Sequence, residues 1–121
     1  MDRFVPVVNR KDCCKVWLED ILYIESEGRR VRIVTEKKVY YMYAKLSDLT
    51  PYFEGDARFF QCIKGMVVNF DHVFAMEEQE IFFRNGTKYM LGRASFLKTK
   101  QTFICYLRNI NKKKKIFFEK P

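Results

Sequence analysis

The side chains best suited to chemistry in this chain are basic, and they fall between apolar segments: Arg29, Arg30 and Arg32, then Lys64, Arg84, Arg93, Lys98 and Lys100. Guanidinium and ammonium groups donate to phosphate oxygens, and the planar fork of arginine can also make two parallel hydrogen bonds to a guanine edge in the major groove. Such groups bind polyanions. Catalytic patterns are absent from the sequence, which carries no G-x-S-x-G, no H-E-x-x-H, and no Walker or dinucleotide glycine motif. The single histidine, His72 beside Asp71, reads as a surface or capping residue rather than a general base. Cys13, Cys14, Cys62 and Cys105 form no C-x-x-C pair, so a tetrahedral metal site is not expected. Cys62 and Cys105 lie among apolar residues and are expected to be small core hydrophobes. Glu77, Glu78 and Glu80 read as a solvated strand face. No enzyme activity, cofactor, metal or small-molecule substrate is expected.

Lysine and arginine number 23 against 15 acidic residues, a formal charge of +8 with a pI near 9.4. A positive surface potential attracts polyanions and speeds encounter with them, which makes nucleic acid the leading partner class. An anionic membrane is the competing source of such a charge. No apolar run approaches the roughly 20 residues of a spanning helix, and residues 1–10 lack the apolar stretch of a signal peptide. The expected location is the cytosol, with reduced thiols. A length of 121 residues holds one domain with an ordinary core and leaves no room for a second catalytic or sensory domain.

The elements that must position the basic groups follow from periodicity. Twelve Phe and seven Tyr favour strands with aromatic cross-strand packing. Short apolar runs (CKVWL, ILYIES, VRIVT, KVYYMY) alternate with polar stretches through residue 43, predicting an antiparallel meander with one face buried and turns at Glu27-Gly28 and Glu36-Lys37. Leu46 and Leu49 are three apart, as in a short helix ending before Pro51. FFQCIKGMVVNF predicts a strand, a tight segment at Lys64-Gly65, and a further strand or helical turn. Asn85-Gly86 between apolar strands predicts a two-residue hairpin turn. Residues 94–109 predict the longest helix, with Phe96, Lys100, Phe103 and Leu107 on one face and Leu97 and Ile104 beside them. The fold class is α+β, mostly β. Residues 1–12 read as an arm or poorly paired first strand, 13–110 as the domain, and 111–121, with Lys112 to Lys115, as a basic tail.

Taken in order, WLEDILYIESEGRRVRIVT, AKLSDL, FFQCIKGMVVNFDHV, the hairpin and YMLGRASFLKT resemble the LytTR DNA-binding family over nearly the whole chain. The D-I-x-Y-I-E motif is met by Asp20, Ile21, Tyr23, Ile24 and Glu25. The resemblance implies an elongated, mostly β fold with an antiparallel meander and hairpin, short helices and a longer C-terminal helix. It also implies a bacterial transcription regulator that inserts loop residues into successive major grooves of double-stranded DNA. By position it implies three contact regions: Arg29, Arg30 and Val31 after the first strand, Ile63 and Lys64 before the Val-Asn pair, and Arg93 at the start of the last helix. Asn69 is expected to fix neighbouring backbone rather than to read bases. Where the family pattern has Arg-x-His-Arg-Ser, this chain has Gln61-Cys62-Ile63-Lys64-Gly65.

For Arg84, Lys98 and Lys100 a solvent-facing charge is the preferred reading. A second copy on paired sites is a further expectation. LytTR domains often follow a phosphoacceptor receiver; with about a dozen residues ahead of the resemblance, this chain is expected to act without one, as a one-domain regulator or a piece of a longer protein. Two alternatives stand beside DNA reading. One is a regulatory protein-interaction module that kept the fold and lost specific readout; the other is membrane attachment through the basic tail.

Overall fold

The computed structural model describes residues 3–113, with side chains through residue 110. Its ten strands are β1 (Phe4–Val8), β2 (Cys13–Trp17), β3 (Ile21–Glu27), β4 (Arg30–Thr35), β5 (Val39–Met42), β6 (Phe59–Ile63), β7 (Met66–Asn69), β8 (Val73–Glu77), β9 (Glu80–Phe83) and β10 (Lys88–Met90). Helix α1 spans Leu46–Leu49 and α2 spans Arg93–Lys113, with single 3-10 turns at Leu18–Asp20, Thr50–Phe53 and Phe70–His72. The strands form a five-stranded sheet in the order β5-β4-β3-β7-β6, a β1-β2 hairpin and a three-stranded sheet β10-β9-β8, every pair antiparallel.

The five-stranded sheet is buried on both faces. Ile24, Val31, Ile33 and Val67 point to one side, where Val5 and Val7 of β1, Val16 of β2, and Leu46 and Leu49 of α1 cover them. Tyr23, Val34, Met66 and Val68 point to the other, beneath the three-stranded sheet and Phe96, Phe103 and Tyr106 of α2. The meander expected from the sequence has one buried face; a second layer on each side explains why ILYI and MVV are unbroken apolar runs rather than clean alternations. The stretch expected over residues 1–12 as an arm or poorly paired first strand is, from Phe4 to Val8, a fully paired strand whose Val5 and Val7 have no exposed surface. Pro6 is tolerated because β1 pairs on one side only.

The turn chemistry expected at Asn85-Gly86 is found at another hairpin. Phe83 N–H bonds Thr87 O at 2.9 Å and Gly86 N–H bonds Phe83 O at 3.0 Å. Of the loop residues 84–86, Gly86 alone has positive φ (91°). This is a three-residue loop closed by glycine, not the two-residue turn expected of Asn85-Gly86. The two-residue loop with both φ values positive lies instead between β8 and β9, at Glu78 (52°) and Gln79 (66°).

At the opening of β6, Arg58 grips Asp56 through Nε (3.0 Å) and Nη2 (2.7 Å), which holds the Asp56 carboxyl below its ordinary range. Because the folded value lies below the unfolded one, this ion pair stabilises the fold above the unfolded value, and its contribution disappears as pH falls through the folded one. Equilibrium unfolding measured below about pH 4 should therefore show a shallower loss of stability in Asp56→Asn than in the wild type.

Candidate nucleic-acid interface

Of the basic residues singled out in the sequence, Arg29 and Lys64 are placed by tight turns, whereas Arg30 and Arg32 lie in β4 and Arg93, Lys98 and Lys100 in α2. Glu27 pairs with Arg30 across the β3-β4 loop, and Gly28 takes a positive φ (62°) at its first position, the II′ arrangement that only glycine enters freely. Arg29, at the second position, projects exposed. Ile63 pairs with Met66 across the Lys64-Gly65 loop. Because β3 pairs with β7 and Ser26 N–H bonds Gly65 O at 2.7 Å, the two loops sit side by side at one end of the sheet. An open groove of about 580 Å³ runs between them and the start of α1, lined by Ser26, Lys45, Ser47, Gln61, Lys64 and Gly65.

Arg93 arrives at this end by the direction of α2. Tyr106, Asn109 and Ile110 share a hollow with Arg58 and Asp71, at the opposite end of β6 from Lys64. Running back from Tyr106 to Arg93 covers about 20 Å at 1.5 Å per helical residue, and β6 from Arg58 to Lys64 covers about the same at 3.3 Å per strand residue. Tyr89 supports the placement from the other side, since its hydroxyl donates to Glu25 Oε2 at 2.5 Å, near the end of β3 and four residues before Arg93. Burial and this hydrogen bond both push the Tyr89 hydroxyl pKa up, so it stays protonated and donating.

The candidates are not equivalent. Arg29, Lys64 and Arg93 are exposed and, among the described residues, enter no ion pair. Arg30 donates to Glu27 Oε1 at 2.7 Å and lies 4.0 Å over the Tyr41 ring, so its charge is partly spent within the protein. Arg32 is held by Tyr23 and Glu25. Val31 has no exposed surface and packs in the core beneath the sheet, which removes it as a DNA-facing residue: alternation along β4 turns it to one face while Arg30 and Arg32 turn to the opposite one. Ile63 is half-buried against the core and offers only an edge.

Sequence reasoning passed over Tyr43, Lys45 and Ser47. Tyr43 is 81% exposed, two residues before Lys45 of the groove lining, and the signal that could have exposed it is the polar Lys45-Ser47 that follows in a run otherwise read as strand and helix. Asn69 is fully buried: its side chain donates to Ile21 O at 2.8 Å and accepts from Asp71 N at 2.9 Å, capping the turn after β7. It fixes backbone, as the resemblance implied.

His72 Nε2 meets Glu19 O at 2.6 Å and is spent on the backbone. Cys62 is buried, and burial pushes its thiol up to about 11, whereas Cys105, expected in the core, is exposed on the outer face of α2. Alkylation of the folded protein at about pH 8, followed by mass spectrometry, should label Cys13, Cys14 and Cys105 and spare Cys62. Among the described residues no three His, Cys, Asp or Glu gather as a metal site would require, and no helix is long and apolar enough to cross a membrane.

The fold and this basic end define a domain that presents loops from a rigid sheet. The family model of the LytTr DNA-binding domain matches residues 11–104. The chain belongs to the LytTR family of DNA-binding domains. Its fold is similar to that of the LytTr DNA-binding domain of a methyl-accepting/DNA response regulator from Bacillus cereus, with a TM-score of 0.68 at 14% identity over 83% of this chain and 95% of that one. No curated protein matches the chain in sequence.

Proposed function

We propose that this domain regulates transcription by sequence-specific binding of duplex DNA, with Arg29, Lys64 and Arg93 entering grooves or gripping phosphates from the basic end of the sheet. The supporting observation is the pair of adjacent turns, each carrying an exposed cation that enters no ion pair among the described residues, on a chain of net charge +8, with the run of α2 carrying Arg93 toward the same end. Arg29 and Arg93 carry the planar fork suited to a guanine edge; Lys64 is a point charge suited to phosphate. Tyr43 and Lys45 extend the surface across the groove, where the ring can lie against sugar and the ammonium against phosphate. Arg30 contributes by exchanging Glu27 for a phosphate.

Selection of bound duplexes from a random pool tests this reading. Recovered duplexes should share a motif, and anisotropy titration should show them binding at least about a thousandfold tighter than random duplex at physiological salt. If two copies bind, the motif should recur one helical turn apart, about 34–36 Å centre to centre. Recovery of no motif above background would reject specific reading and leave a protein-interaction module as the better account.

A further inference from the structure

We infer that Gln79 is a positioning residue for Arg93, holding from the β8-β9 turn the peptide that leads into α2. The inference rests on the reading of Arg93 as a DNA-reading residue. Leu91 lies just past β10, 2% exposed, where an unbonded backbone group would be costly. Gln79 answers both its backbone groups: Leu91 N–H donates to Gln79 O at 2.8 Å, and Gln79 Nε2 donates to Leu91 O at 3.1 Å. Gly92 follows, and its carbonyl accepts the first hydrogen bond of α2, from Phe96 N–H at 2.8 Å. Arg93 is thus suspended between a clamped residue two positions before it and a core anchor, Phe96, three positions after it.

The clamp is made by a backbone that L side chains enter reluctantly. Glu78 and Gln79 both have positive φ, at a turn where glycine or asparagine would be the easy choice. Glycine at 79 has no side chain, and asparagine is one methylene shorter than the glutamine that reaches Leu91. Strain of this kind persists where the surroundings hold it in place, and here the surroundings are the segment leading to Arg93.

The geometry separates a positioning role from a merely structural one, because Gln79→Gly eases the backbone while deleting the side-chain bond. Its unfolding midpoint should stay close to that of the wild type, because the eased backbone offsets the bond lost at Leu91 O, yet discrimination between a selected duplex and random duplex should fall about fivefold to tenfold, with affinity for random duplex unchanged. Glu78→Gly eases the same turn without touching Leu91 and should keep full discrimination. Gln79→Glu, which keeps the shape and cannot donate, should lose discrimination as Gln79→Gly does. In an Arg93→Ala background, Gln79→Gly should have no further effect. Retained discrimination in Gln79→Gly or Gln79→Glu, where Arg93→Ala loses it, overturns the inference. A matching loss of stability and of affinity for all DNA overturns it too, as general damage would. Arg93→Ala without effect on discrimination would instead remove the reading on which the inference stands.

Discussion

Phe70→Ala should cost the fold about 3–5 kcal/mol, the largest stability loss expected of any single truncation here. The ring is 2% exposed at the end of β7, with the rings of Phe60 at 5.9 Å, Phe103 at 5.3 Å and Tyr106 at 5.4 Å around it. Phe60 is fixed by the sheet and the other two by α2, so the space left by the ring is bounded by elements that cannot easily collapse into it. Both the lost transfer free energy and an unfilled cavity then contribute. Thermal unfolding followed by circular dichroism should show the midpoint lowered by on the order of 15–25 °C. A change below about 1 kcal/mol would mean that α2 is not seated on Phe70, and with it would go the argument that α2 delivers Arg93 to the basic end of the sheet.

How this arrangement was and was not legible follows from where the competing signals lie. Local polarity and glycine marked the β3-β4 and β6-β7 turns, because a two-residue reversal needs either positive φ or a small residue, and Gly28 and Gly65 provide them. The side chains next to those turns needed the strand register. Val31 follows Arg30 directly, and a shift of one residue along a strand moves a side chain from solvent to core. Helix α2 shows the same difficulty at another period. Its sequence carries two apolar stripes, and the one expected to be buried includes Lys100 and Leu107. The stripe that packs is Phe96, Thr99, Phe103, Tyr106 and Ile110, while Leu97, Ile104 and Leu107 are exposed. Thr99 is fully buried because its hydroxyl is satisfied within the helix, donating to Ser95 O at 2.7 Å, a bond that hydrophobicity cannot reveal. Nor could local sequence reveal the strained pair Glu78-Gln79, since the residue that Gln79 bonds, Leu91, lies a dozen residues downstream.

Arg93→Ala should reduce discrimination between a selected and a random duplex by about 1–3 kcal/mol, roughly fivefold to 150-fold, if its guanidinium reads a base edge from the first turn of α2. A change of that kind leaves affinity for random duplex nearly intact, because a base-edge hydrogen bond forms only where the right base is present. Replacing Lys112 to Lys115 with glutamine should do the opposite. Those four charges follow the core of α2 in sequence and act on any duplex through counterion release, so every duplex should bind more weakly by a similar factor. The dependence of log K on log salt should also become shallower by up to about 0.9 for each phosphate no longer neutralised. The two variants therefore separate along two measured axes, discrimination at fixed salt and salt slope at fixed sequence. If both variants move both quantities alike, Arg93 is one more diffuse charge, and specific reading must then rest on Arg29 and on the groove between Lys45 and Lys64.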